Sequence, residues 1–325
     1  MSQKKNSSTT LTLSEPVFNH KEIISSIDSI INLNLSQGKK VKTFEKNYSR
    51  YIGTKYGIAV NSGSSANLIA IAALIETFNI KKGDEVIIPA ATFATVAMPI
   101  IQLGLVPVYV DVNKDNLNID PKKIEKSISK KTKILMIVHT LGLACDMKTI
   151  NKIVKKHKLI LFEDCCEAHG SMFNNKKVGS FGHISAFSFF VAHNMTTGEG
   201  GMILTNNSKL DLICRSIREF GRINFNSKNI KSRWFTDDRF KNYDKRYIFQ
   251  RLGYNMRMTE INASFGIEQL KKLDKFNTIR IKNANYLNDN FKKFNLNNYF
   301  NLYVNFPKLE HTYYGFPILI KESCK

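Results

Sequence analysis

No apolar run in the 325 residues reaches the length of a membrane span. The strongest stretch, residues 100–110, is too short and is broken by Gly104 and Pro107. The first ten residues are polar and hold no apolar signal core. These features predict a cytoplasmic protein. Cysteine is scarce as well: Cys145, Cys165, Cys166, Cys214 and Cys324, with no CxxC pair. An odd count with that spacing argues against a disulfide framework and against a zinc site, so no metal is expected. Cys165 and Cys166 are neighbours at an expected strand end, where they point to opposite sides. Acidic residues are few: Asp and Glu total 27 against 48 Lys and Arg, a net charge of +21. Such an excess suggests nucleic acid as a partner. No recognition motif accompanies it, however, and the lysines are spread along the whole chain. The basic residues are therefore read as a solvated surface, with no nucleic-acid or membrane partner. A basic rim also suits an anionic ligand.

Hydrophobic residues make up 43% of the chain, enough for a packed core. The length fits one large domain and part of a second. Neither an internal repeat nor a low-complexity linker interrupts it. Short apolar runs alternate with helical patterns, the signature of a mostly parallel sheet covered by helices. Strands are expected at residues 57–60, 85–89, 106–112, 133–139, 159–165, 184–190 and 201–205. Helices are expected after Ser65, with Leu68, Ile71, Ala72 and Ile75 on one face, and near residues 96–102, 121–129, 147–157 and 210–220. Residues 222–251 are polar and aromatic, without a clear period. Helical pattern returns at 259–273 and runs on to about 294, and residues 313–320 are a strand candidate.

Several of these junctions carry chemistry. Ser62-Gly63-Ser64-Ser65 lies between a strand and a helix, where amides at a helix N-terminus cradle a phosphate. Taken alone the signal is weak, because serine caps any helix. Asp164 ends a buried strand, the edge at which ligands of α/β sheets collect. Glu163 is its neighbour, expected to point the other way in a structural role. His139 and His169 lie at strand ends near that edge. His20, His157, His183 and His311 are read as structural or exposed. Lys176 and Lys177 read as a solvated hairpin.

Residues 185–201, S-A-F-S-F-F-V-A-H-N-M-T-T-G-E-G-G, closely resemble the cofactor-lysine segment of the DegT-type sugar aminotransferase/dehydratase family, which uses pyridoxal phosphate. The aminotransferases of that family have a lysine where this chain has His193. An imidazole does not form the stable Schiff base that lysine forms, but it moves protons near neutral pH. The resemblance therefore implies the 3-dehydratase branch, with pyridoxamine 5'-phosphate or pyridoxal 5'-phosphate held non-covalently and His193 as the catalytic base.

It further implies a fold of the aspartate-aminotransferase type (fold type I), an α/β sheet sandwiched by helices, plus a small C-terminal α+β domain. The expected division is an N-terminal segment 1–40, a large cofactor-binding domain 41–275, and the start of the small domain in 276–325. Relatives continue beyond the point matching Lys325, so the chain reads as truncated. By the same resemblance Gly63, Ser64 and Ser188 hold the cofactor phosphate, and Phe93 stacks on the ring. Asp164 meets the ring nitrogen, and Glu167 is the acid of the dehydratase branch near the cofactor. Asn255 reaches into the phosphate site of a second subunit, which implies a homodimer with shared active sites.

The implied partner is a nucleotide-diphosphate 4-keto-6-deoxy sugar, deoxygenated in lipopolysaccharide or O-antigen biosynthesis. Arg218, Arg222 and Tyr247 are candidates for its recognition. Relatives that act on the CDP-glucose derivative carry clustered cysteines between the segments matching Gly221 and Gly253. This chain has none there, so no iron–sulfur cluster is expected. Relatives that act on the GDP-mannose derivative need no cluster and are recharged by glutamate. Two alternatives stay open: a truncated non-catalytic family member, and a nucleotide-sugar aminotransferase with a displaced lysine.

Overall fold

The computed structural model describes residues 15–223, 247–304, 306 and 309–324. In chain order its elements are α1 (His20–Ile31), α2 (Lys39–Ile52), β1 (Tyr56–Val60), α3 (Gly63–Phe78), β2 (Glu85–Pro89), α4 (Ala94–Gln102), β3 (Val106–Val110), α5 (Pro121–Ile124), β4 (Thr132–Val138), α6 (Met147–His157), β5 (Ile160–Asp164), β6 (Met172–Phe173), β7 (Lys176–Lys177), β8 (Ile184–Ser188), β9 (Gly201–Thr205), α7 (Ser208–Arg218), α8 (Glu260–Leu270), α9 (Leu273–Lys293), β10 (Phe300–Leu302), β11 (Leu309–Glu310) and β12 (Ile318–Ile320). Seven strands form one sheet in the order β1-β9-β8-β5-β4-β2-β3. The pairs β2–β3, β2–β4, β4–β5 and β5–β8 are parallel, and β9 runs antiparallel to both of its neighbours.

Alternate strand residues face opposite sides, and the core divides accordingly. Ile58, Val60, Val86, Ile88, Ile134, Met136, Phe162, Ala186 and Ile203 pack beneath α3, α4 and α7. Leu135, Ile137 and Leu161 meet α6 on the other face. Ala59, Phe187, Met202 and Leu204 meet α2 and α8 there. The mostly parallel, helix-sandwiched sheet is the architecture expected from the sequence, and β9 and α6 have the expected bounds.

Several details differ from expectation. The fully buried apolar positions of α3 are Ala66, Ile69, Ala70, Ile71, Ala73 and Leu74; of the expected face Ile71 is among them, while Leu68, Ala72 and Ile75 are only partly buried. This helix is wedged between the sheet, α4 and α7, so its apolar residues leave no single stripe for periodicity to find. The helix expected over 121–129 keeps one α-turn, begun by Pro121 and capped by Asp120, and then tightens to a 3-10 turn at Glu125–Ser127. The helical region after Thr259 breaks between Leu270 and Leu273. The strand expected over 313–320 contracts to β12.

Helices α1 and α2 lie before the first strand and were not anticipated. Asn19 and Glu22 close a capping box on α1. The Glu22 carboxylate, fully buried, then accepts from Gln269 at 2.8 Å and pairs with Lys272 at 2.5 Å. The serine side of α1 faces α8: Ser26 and Ser264 hydroxyls are 3.3 Å apart. Its isoleucines, Ile23, Ile24, Ile27, Ile30 and Ile31, are all exposed. No helix among the described residues is long and apolar enough to cross a membrane.

A buried ionic knot ties α2 to α7. Glu45 accepts from Arg215 and from Arg218, each at 2.8 Å, and from the Ala59 amide at 2.9 Å. Arg218 also donates to the Ala59 carbonyl. Removing one partner of such a knot strands a buried charge. Glu45→Ala is expected to lower unfolding free energy by about 3–5 kcal/mol, measured by urea denaturation. An unchanged midpoint would show that the knot is solvated.

Candidate functional site

The site forms at the carboxyl edge of β5, where Glu163 and Asp164 face opposite sides of the sheet. Glu163 is fully buried and accepts from the amides of Gly179, Phe181 and Gly182 at 2.6–2.8 Å, and contacts His139 Nε2 at 3.2 Å. His139 Nδ1 accepts from the Cys145 amide, so its Nε2 carries the proton donated to Glu163. His139, Glu163 and Cys165 lie within reach of a common ion. The hydrogen bonds already held by His139 and Glu163 make the group a structural brace. His139 is thus structural, and Glu163 takes the turned-away role expected of it.

Asp164 points to the α3 side. Its Oδ1 accepts from the Cys166 amide at 3.0 Å and its Oδ2 from Asn67 Nδ2 at 2.9 Å. A carboxylate offers about four lone pairs, so acceptor capacity remains for a ligand. Asn67 also reaches the Thr95 carbonyl in the first turn of α4. Phe93 caps that turn with its ring 75% exposed, an unusual setting for so large an apolar side chain.

Ser62, not Ser64, is the N-cap of α3: its hydroxyl accepts from the Ser65 amide at 3.1 Å. That leaves Ser64 exposed in the first turn. A Cβ on Gly63 would stand 2.6 Å from Ser188 Cβ and 3.2 Å from Cys166 Sγ. Gly63, Ser188, Cys166 and Asp164 are therefore one contiguous cluster, assembled from the ends of β5 and β8 and the start of α3.

His193 sits in the turn after β8, its amide bonded to the Phe190 carbonyl. His169 lies behind it, with ring centroids 6.0 Å apart. His169 Nε2 faces the Ser188 carbonyl at 2.8 Å and must donate to it, so Nδ1 accepts from the Tyr48 hydroxyl at 2.7 Å. Burial, with the neighbouring His193, drops the His169 imidazole to about 3. Burial and then the Arg280 guanidinium hold His193 down at about 4. Its Nδ1 is buried without a hydrogen-bond partner among the described residues. The ring is neutral at pH 7, so one of its two nitrogens is a free base. Tyr314 covers the ring at 5.1 Å. Arg280 fastens this cover by donating to the carbonyls of Tyr313 and Tyr314.

Glu167 accepts from the Leu141 amide at 2.7 Å, and its pKa is raised by burial and by Asp164. Asn255 is exposed and its Oδ1 is engaged by Arg257, but the next residue, Met256, takes the Asn61 amide beside the α3 N-terminus. Arg218 is not a recognition residue, because the Glu45 knot consumes it. Arg222 lies against the rings of Phe220 and Phe249, and Tyr247 is exposed. Most of the segment between them lies outside the described residues. Lys177 is less solvated than expected: its Nζ lies 3.5 Å from the Tyr51 ring centroid and bonds the Tyr51 carbonyl. Sequence reading missed Asn67, Tyr48, Arg280 and Tyr314. None sits in a distinctive motif, and only folding brings them to this edge.

The residues fit a vitamin B6 coenzyme. A helix N-terminus with a crowded glycine and exposed Ser64, an exposed aromatic face, a carboxylate with acceptor capacity to spare and an unpartnered imidazole are grouped at one sheet edge. The Asn67 carbonyl oxygen is also buried without a partner.

This sheet order and site define a protein of the pyridoxal-phosphate fold type I class. The profile of the DegT/DnrJ/EryC1/StrS aminotransferase family matches residues 19–325, and the chain belongs to that family. It is 38% identical over 307 residues to GDP-4-keto-6-deoxy-D-mannose 3-dehydratase of Escherichia coli O55:H7, covering 94% of this chain and 76% of that protein. It is 35% identical over 319 residues to the lipopolysaccharide biosynthesis protein RfbH of Salmonella typhimurium, covering 94% and 72%. A solved structure of the E. coli GDP-4-keto-6-deoxy-D-mannose-3-dehydratase with bound hydrated PLP superposes with a TM-score of 0.87 at 36% identity, covering 95% of this chain and 78% of that one.

The histidines have a consequence for stability. His169, His193 and His311 are all lowered by burial, to about 3, about 4 and about 4. Below the ordinary value near 6.5 the unfolded chain binds protons that the folded chain refuses. Stability is therefore expected to fall as pH drops from about 6.5 toward about 4, by up to about 1.4 kcal/mol per pH unit for each histidine, and to be insensitive to these groups above 6.5. Urea titrations at pH 7, 6 and 5 read this slope, and His193→Asn should make it shallower.

Proposed function

We propose that the chain is a pyridoxamine-phosphate-dependent 3-dehydratase of a nucleotide-diphosphate 4-keto-6-deoxy sugar, with GDP as the favoured nucleotide. The observation that carries this reading is a neutral imidazole with a free, buried Nδ1 where the family's aminotransferases have lysine. The names of the relatives support the reaction and the nucleotide.

In this reading the amides at Gly63 and Ser64, with the Ser188 hydroxyl, hold the coenzyme phosphate at the α3 N-terminus. Phe93 offers a flat apolar face for the ring and excludes water on that side. Asp164 keeps the ring nitrogen protonated, and its own orientation is fixed by Asn67 and the Cys166 amide. When bound, the coenzyme supplies the amine that condenses with the C4 ketone and the electron sink through which the C3 hydroxyl departs. His193 removes a proton with its unprotonated ring nitrogen and returns it toward the departing hydroxyl, which requires the ring to be neutral at the start. Its lowered pKa meets that requirement. Glu167, biased toward its protonated form by burial, stands as a nearby acid.

We further propose that two copies complete the site. The isoleucine face of α1 is uncovered, and Phe93, Leu252 and Asn255 are exposed around the α3 N-terminus. A self-complementary interface buries such apolar patches.

Two outcomes are expected. His193→Lys should lose about 10²–10⁴-fold in dehydration rate and acquire a lysine–coenzyme adduct trapped by borohydride. Trapping such an adduct in the wild type would sink the proposal. Ile24→Asp with Ile27→Asp should convert a dimer to monomers in sedimentation equilibrium; an unchanged mass would place the interface elsewhere.

A further inference from the structure

A cavity of about 890 Å³ opens beside His193, walled by the 191–196 turn, by α8 and α9, and by Tyr314 and Gly315. Its lining is basic: Lys272, Lys275 and Arg280 against one acid, Glu15, among the described residues. The cations are not equivalent. Lys272 is neutralised by Glu22 at 2.5 Å, and Lys275 is exposed. Arg280 is partly buried and has no carboxylate partner among the described residues. Its hydrogen bonds within them run from Nη1 to the Tyr313 and Tyr314 carbonyls, at 3.0 and 3.3 Å.

A guanidinium carries five N–H donors in a planar fork. Three or more here have no acceptor among the described residues. Burying a cation without a counter-ion is costly, and desolvation does weaken the hold of Arg280 on its proton. The fold keeps it nonetheless, clamped to the backbone of the segment that covers His193. A planar oxyanion completes such a fork with two parallel charge-assisted bonds.

We propose that Arg280 is the recognition cation for the oxyanion of a reactant entering this cavity, a carboxylate or a phosphate that docks while the rest of the molecule reaches His193. The carboxylate would come from an amino-acid amine donor, the phosphate from the nucleotide sugar. Arg280 would then hold the oxyanion and the Tyr313–Tyr314 cover of His193 through one guanidinium. The inference rests on the dehydratase reading only in taking His193 as the reacting base.

The test uses wild-type, coenzyme-loaded protein treated with phenylglyoxal, with modified arginines mapped by mass spectrometry. Glutarate or inorganic pyrophosphate should protect Arg280, and which one protects identifies the source. Protection by neither overturns the proposal. Calorimetry with the protecting anion should show Arg280→Gln at least about tenfold weaker than wild type, with Arg280→Lys between them; equal affinities for all three overturn it as well. Should Arg280→Gln fail to fold, the protection experiment stands without it. Protection is read without turnover. A protected Arg280 in a chain that dehydrates no ketosugar therefore rejects the dehydratase reading alone, and an unprotected one in an active enzyme rejects this inference alone.

Discussion

Two consecutive carboxylates at the end of β5 organise the whole edge. Strand geometry sends Glu163 and Asp164 to opposite faces, and each is put to a different use. Glu163 gathers three amides of the 179–182 turn and a histidine, which anchors β5 to the approach of β8. Asp164 takes Asn67 from α3 and leaves room for a ligand. A buried charge is tolerable only when its oxygens are satisfied. The first carboxylate meets that demand with protein alone. The second meets it only in part and keeps acceptor capacity for the coenzyme ring nitrogen proposed above.

Behind this edge runs a second chain of constraint. Tyr48 on α2 bonds His169, which bonds the Ser188 carbonyl at the end of β8. The link ties the helix packed on one face to the strand that leads into the His193 turn. His169 is held neutral by burial, so it orients without competing for protons. His193 differs by having nothing on Nδ1. The two histidines, 6.0 Å apart, thus differ in setting: His169 is a support, and His193 is the proposed base.

Much of the fold is legible in the chain itself. Alternating short apolar runs and helical patterns predict the parallel sheet. The errors cluster where context overrides pattern. The face of α3 is misread because three neighbours surround it. α1 is missed since much of what it buries is serine and glutamate, the reverse of the usual stripe, whereas α2 carries an ordinary stripe of Val41, Phe44, Tyr48 and Ile52 that the reading passed over. Arg218, a candidate for substrate recognition in the sequence, is locked to Glu45, a partner 173 residues away in sequence.

Sequence alone determined the chemistry of single positions: an imidazole at 193, a carboxylate at 164, a glycine and serines before α3, a phenylalanine at 93. Those identities are local and carry their own pKa range and hydrogen-bonding capacity. Tertiary structure alone decided which of them meet. It set Gly63 against Ser188, hung Asp164 from Asn67, laid Tyr314 over His193 and left Arg280 without a counter-ion among the described residues. Burial and partner geometry are properties of residues far apart in the chain. They shift a proton equilibrium or strand a charge only once folding has excluded water around them.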